Sequence, residues 1–201
     1  RGKAIPPKKY EINGKTITFP KDVAAGGTWV AHDENAILVL LNGANKKHIP
    51  TGNYRKSRGL LLLDLIVSDN PIHEWEKINL VNIEPFTIVY FDGKSLLQWQ
   101  WNSLEKTTKQ LNCKESHFWS SATLYEPEIQ AERANWFTQF LQQKKEVSQE
   151  DLLHFHQFEK ATNSAYGLQI NRNNTLKTVS ITQCIWHPNA IKMQYLDLLQ
   201  S

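Results

Sequence analysis

Residues 36–41 read Ala-Ile-Leu-Val-Leu-Leu, a run with no polar side at all. A strand exposed on one face alternates polar and apolar residues, whereas a strand covered on both faces can be apolar throughout. The run therefore asks for a core of more than two layers. It stops abruptly on Asn42-Gly43. Two explanations of that asparagine are open: a tight turn and nothing more, because Asn-Gly readily takes positive φ, or a side chain at the mouth of a site.

The surrounding pattern supplies the other layers. Residues 28–31 read as a partner strand, joined to the apolar run by the polar turn His32-Asp33-Glu34-Asn35. Residues 60–67 are apolar nearly all round, which suits a buried helix packed on a sheet. Asn13-Gly14 within residues 9–19 and Asp92-Gly93 between residues 86–91 and 96–101 mark two hairpins, the first expected at the periphery. Glu126-Pro127-Glu128 opens a helix whose Ile129, Trp136, Phe137, Phe140 and Leu141 share one face. Ser148 caps a second helix with an acidic first turn. Residues 175–186 and 191–199 form a closing hairpin turned at His187-Pro188-Asn189-Ala190. Strands, a helix, strands, two helices and strands in that order predict a layered α+β sandwich rather than a regular βαβ repeat.

Within 201 residues there is no repeat, low-complexity segment or convincing linker, so one domain over residues 1–201 is expected. Forty per cent hydrophobic and 21% charged residues are an ordinary globular balance. A net charge of +3, from 23 basic and 20 acidic residues, is far from the concentrated basic footprint of a nucleic-acid binder. No run reaches the roughly 18 apolar residues of a bilayer span, and RGKAIPPKKY lacks a signal peptide's apolar centre. Cys113 and Cys184 are expected as free core thiols, which fits a reducing cytoplasm. The first residue is Arg1 and not methionine, so a preceding segment is expected.

Phosphate loops, GxGxxG, HExxH, CxxC and GxSxG are all missing. His154 and His156 stand two apart in a helix, point away from each other and have no third ligand at a suitable spacing, so no metal or other cofactor is expected. Cys113 has no setting that would make it a nucleophile. Arg58, between Ser57 and Gly59 at the start of the buried helix, must find a carboxylate, backbone carbonyls or a ligand, and is either an anchor or a site residue. Trp99 and Trp101 share a strand face, as core aromatics or as a ligand platform.

The stretch AAGGTWVAHDENAILVLLNG, followed by Ser57-Arg58-Gly59 and a leucine-rich helix, resembles the NRDE-motif family, also called the transport and Golgi organisation 2 family. Residues 1–7 resemble the segment just beyond that family's name-giving Asn-Arg-Asp-Glu. The likeness is looser over residues 119–125 and faint near Tyr166-Gly167. It implies a four-layer αββα sandwich of the N-terminal-nucleophile hydrolase type, in which an N-terminal cysteine attacks a non-peptide amide and asparagine side chains hold the oxyanion. The resemblance makes Asn42 an oxyanion donor and Arg58 a site-shaping residue, with Trp29, Ser121 and Arg172 as substrate-binding positions. This chain departs from the family pattern in three places. The cysteine and the Asn-Arg-Asp-Glu element are not within it, Ser121 stands where the family has asparagine, and Tyr166-Gly167-Leu168-Gln169 replaces Tyr-Gly-Thr-Arg. The function expected is therefore a cytoplasmic amide hydrolase acting on a small molecule; the alternative is a non-catalytic ligand-binding or trafficking protein on the same fold.

Overall fold

The computed structural model describes residues 2–160 and 162–199; Arg1, the first residue of the basic start, lies outside them. The strands β1 (Ile5–Ile12) and β2 (Lys15–Lys21) form the first hairpin. Its turn residues Asn13 and Gly14 both take positive φ, 52° and 78°, the arrangement that matches the twist of a two-residue hairpin. The hairpin lies at one edge of the main sheet, where a peripheral element is expected, but only its outer strand is exposed. Ile17 and Phe19 of β2 are fully buried, because β2 goes on to pair with β3 (Val30–His32).

From β3 the ladder continues antiparallel through β4 (Ile37–Asn42), β5 (Phe86–Phe91), β6 (Leu96–Trp101) and β7 (Lys106–Leu111), a seven-stranded sheet in chain order. The chain is thus a mixed α/β fold dominated by one large antiparallel sheet. Two helices, α1 (Arg58–Val67) and α2 (Pro71–Lys77), are inserted between β4 and β5. Leu61, Leu62, Leu65 and Ile66 of α1 form the core with Leu38 and Leu40 of β4, Ile88 of β5 and Trp99 of β6. Trp75 of α2 stacks on Trp99 at 5.4 Å between ring centroids. Trp99 and Trp101 are therefore core aromatics and not a ligand platform.

Among the elements that escaped the sequence reading are a short helix and an edge strand. Helix α2 starts with an Asn70 side-chain cap and a proline in its first turn, both recognisable signals, but it is too short to show a periodic face. Strand β7, KTTKQL, is a polar edge strand. It earns its place through Lys106, whose amine donates to the carbonyls of Trp75, Glu76 and Ile78 and so satisfies the end of α2.

Successive residues of β4 face opposite ways, so Ile37 and Val39 lie on the side away from α1. Cover there is partial: Val39 is 36% exposed and lines a cleft of about 370 Å³ with Trp29, Val89, Phe91, Thr182 and Cys184. The far wall is the hairpin of β10 (Ser180–His187) and β11 (Ala190–Asp197), where Trp186 meets Phe91 edge-on at 5.2 Å. Helices α3 (Pro127–Gln142) and α4 (Gln149–Phe158) pack on each other through Trp136, Phe137 and Phe155. The Gln183 side chain of β10 donates to the Gln149 carbonyl of α4. A short pair, β8 (Asn171–Arg172) and β9 (Leu176–Lys177), precedes the final hairpin. No helix among the described residues is long and apolar enough to cross a membrane.

Candidate functional site

The site is built where the end of β4 meets the start of α1. Gly27 and Gly59 cross there so closely that a Cβ on Gly27 would lie 2.5 Å from the Gly59 carbonyl carbon, and one on Gly59 would lie 2.7 Å from the Thr28 carbonyl oxygen. Only glycine at both positions lets the backbones touch. Ser57 caps α1 by accepting from the Leu60 N–H, and Arg58 is the first helical residue. The crossing holds the helix start beside the strand end.

Asn42 is a strand residue, paired with Phe86 in the β4–β5 ladder. Gly43 alone takes the positive φ, 83°. The turn therefore rests on the glycine, and no turn requirement remains to explain the asparagine. Its backbone is fixed from two sides: the Ser121 hydroxyl donates to the Asn42 carbonyl at 2.8 Å, and the Gly43 N–H donates to Pro85 at 3.0 Å. Among the described residues nothing bonds to the Asn42 side-chain amide.

Asn42 and Arg58 line one pocket of about 320 Å³, with Asp22, Thr28, Lys56 and Glu84 also in its wall. Arg58 donates to the Pro85 carbonyl at 3.1 Å and pairs with Glu84 at 2.8 Å. Glu84 also meets His48 Nε2 at 3.0 Å, while His48 Nδ1 is buried and has no hydrogen-bond partner among the described residues. Lys56 pairs with Asp64. Both cations of the wall are thus matched by carboxylates. Arg58 is at once anchored and exposed to the pocket, so the two readings of it do not exclude each other.

The remaining expected positions fall around this pocket rather than in it. Trp29 lines the apolar cleft and a smaller cleft of about 190 Å³ that shares Asp22 with the Asn42 pocket. Ser121 acts on Asn42 through the backbone bond described above. Arg172 does not line the pocket; its guanidinium is held by the Ala165 and Leu124 carbonyls. Sequence reasoning missed Glu84 and His48. Arg58 required a carboxylate or carbonyl partner, but nothing local to residue 58 selects residue 84.

A strand-end amide and a carboxylate-paired guanidinium border the same space, so the polar donor there that no carboxylate matches is the Asn42 amide. The pocket has no lining thiol. Its hydroxyls are engaged, Ser57 in the helix cap, Thr28 in donating to the Val30 carbonyl and Tyr54 in accepting from the Thr51 N–H. Cys113 and Cys184 are free. Cys184 is partly buried in the apolar cleft, and burial pushes its pKa up to about 12, far from an activated thiolate. Cys113 is exposed after β7, not in the core as expected, because the polar edge strand carries it outward. His154 and His156 both reach the surface on either side of the buried Phe155. The described residues contain no cluster of three metal-ligating side chains. In comparisons with known proteins, the chain matches no family model and no curated protein.

Proposed function

We propose that this protein is a hydrolase of the NRDE-motif type, acting on the carbon–nitrogen bond of a small non-peptide amide at the Asn42–Arg58 pocket. The observation that carries the reading is the meeting of a strand-end asparagine, whose side chain has no partner among the described residues, and a charged helix-start arginine in one pocket. In this mechanism the nucleophile is a cysteine upstream of Arg1 whose own α-amine takes the thiol proton. Its sulfur bonds to the amide carbonyl carbon, and the carbonyl oxygen becomes an oxyanion that receives the Asn42 N–H. The C–N bond then breaks, the leaving amine takes the proton, and water releases the acid from the thioester.

The four-layer αββα arrangement belongs to the same proposal and rests on three packing relations. Helix α1 covers the Leu38–Leu40 side of β4, the β10–β11 hairpin lies across the Val39 side, and α4 meets β10 beyond it. A second reading, a non-catalytic ligand-binding or trafficking protein on the same fold, is favoured by the apolar cleft beside Trp29 and by the absence of a thiol from the pocket wall.

Asn42→Ala separates the two. An oxyanion donor acts on charge that develops in the transition state, so kcat on an amide should fall by about 10²–10³ with KM little changed. A loss expressed in KM alone, or no hydrolysis by the wild-type protein carrying its upstream residues, would leave binding as the function.

A further inference from the structure

Arg133 of α3 is only 7% exposed, and Arg172 of β8 lies partly buried near it. Both guanidiniums sit over the Tyr125 ring, 4.1 and 5.5 Å from its centroid, and Arg172 lies 5.3 Å from the ring of Tyr166. Their protein partners are all neutral. Arg133 donates to the Ser120 hydroxyl and the Tyr166 and Gly167 carbonyls, and Arg172 to the Ala165 and Leu124 carbonyls. Among the described residues neither forms an ion pair, and Nη2 of Arg133 and Nη1 of Arg172 have no protein partner.

A buried charge is costly unless something of opposite sign meets it. Here Arg172 adds a charge of the same sign. Burial is the main cause that draws the Arg133 pKa below its ordinary value, and the charge of Arg172 acts in the same direction. Carbonyls and a ring face soften this cost without neutralising it. Guanidinium forks suit the oxygens of phosphate, and two unmatched cations suit a dianion better than a single carboxylate.

From this geometry we infer that Arg133 and Arg172, which share the Tyr125 ring, form a binding site for a phosphate group, with the exposed Tyr166 at the rim. The site adjoins the candidate pocket without depending on its chemistry. Ser120, which accepts from Arg133, is followed by Ser121, which donates to the Asn42 carbonyl. Occupancy would therefore act on the loop that supports Asn42.

The test is a titration with inorganic phosphate, above its second pKa and at constant ionic strength balanced with chloride. Binding is followed by heat and by the Arg133 Nε–H resonance of the full chain. The expected result is a saturable response at one site, weaker with acetate, and weakened about tenfold or more in Arg172→Gln but unchanged in the β7 surface variant Lys109→Gln. A response that does not saturate, that is equal in Arg172→Gln, or that acetate matches would overturn the inference. Should Arg172→Gln not fold, as judged by near-ultraviolet circular dichroism, the saturation and acetate comparisons on the unaltered chain still decide it.

Discussion

Cys184 and Cys113 illustrate how placement sets chemistry at a single residue. Cys184 faces the cleft between β10 and the sheet, and burial raises its pKa to about 12. Cys113 is exposed and donates its S–H to the Lys94 carbonyl. Iodoacetamide should therefore modify Cys113 in the folded protein and Cys184 only after unfolding, as peptide mass mapping would reveal. Rapid labelling of native Cys184 would mean that the cleft activates its thiol. The expectation of free core thiols holds in part for Cys184, which is free and partly buried, and fails for Cys113, because a cysteine next to polar residues reads alike in an edge turn and in a strand. Asn42 was only half legible. The sequence offered turn or site, and the ladder pairing with Phe86 removed the turn. The place of Arg172 outside the Asn42 pocket was not legible, because its partners, the Ala165 and Leu124 carbonyls, are set by a loop conformation that no spacing encodes.

The elements whose signals are local were read closely. The apolar residues of α1, the proline and acidic start of α3 and the serine cap of α4 each act within a few residues of where they stand. Leu62 is fully buried, so Leu62→Ala should cost about 2–5 kcal/mol, measured as a lower urea midpoint. The contact of Gly27 with Gly59 is different, since its cause is a backbone crossing between distant segments. Gly27→Ala would press a methyl group into backbone that cannot rotate away, and should destabilise by about 1–3 kcal/mol and loosen the Asn42 pocket. An unchanged midpoint would show that the crossing is not tight.

Helix α4 adds a pH dependence. Asp151 is held near a pKa of about 2 by the Lys144 amine and then by the Ser148 N–H and hydroxyl of its capping box. A carboxyl whose pKa is lower in the folded state contributes stability above its unfolded value, and that contribution disappears as pH falls through the folded value. Asp151→Asn should therefore flatten the loss of stability between about pH 4 and pH 2, read from thermal melts. An identical slope in wild type and variant would assign the capping box no part in acid unfolding.

At the scale of the whole molecule, a continuous antiparallel sheet carries helices on one side and a hairpin on the other, and the Asn42 pocket opens where a strand end and a helix start cross. The order of elements was readable because hairpin turns and helix caps punctuate the chain. The joining of the first hairpin to the main sheet was not, because it depends on the pairing of β2 with β3, which share a single registered pair, Thr18 with His32. The central claim is that this framework presents Asn42 and Arg58 to a nucleophile supplied from upstream of Arg1. The most direct test is amide hydrolysis by the chain Arg1–Ser201 beside a version extended upstream to a processed N-terminal cysteine. The account predicts a silent shorter chain, an active longer one, and loss of that activity when the cysteine becomes alanine. Equal hydrolysis by both lengths would contradict it.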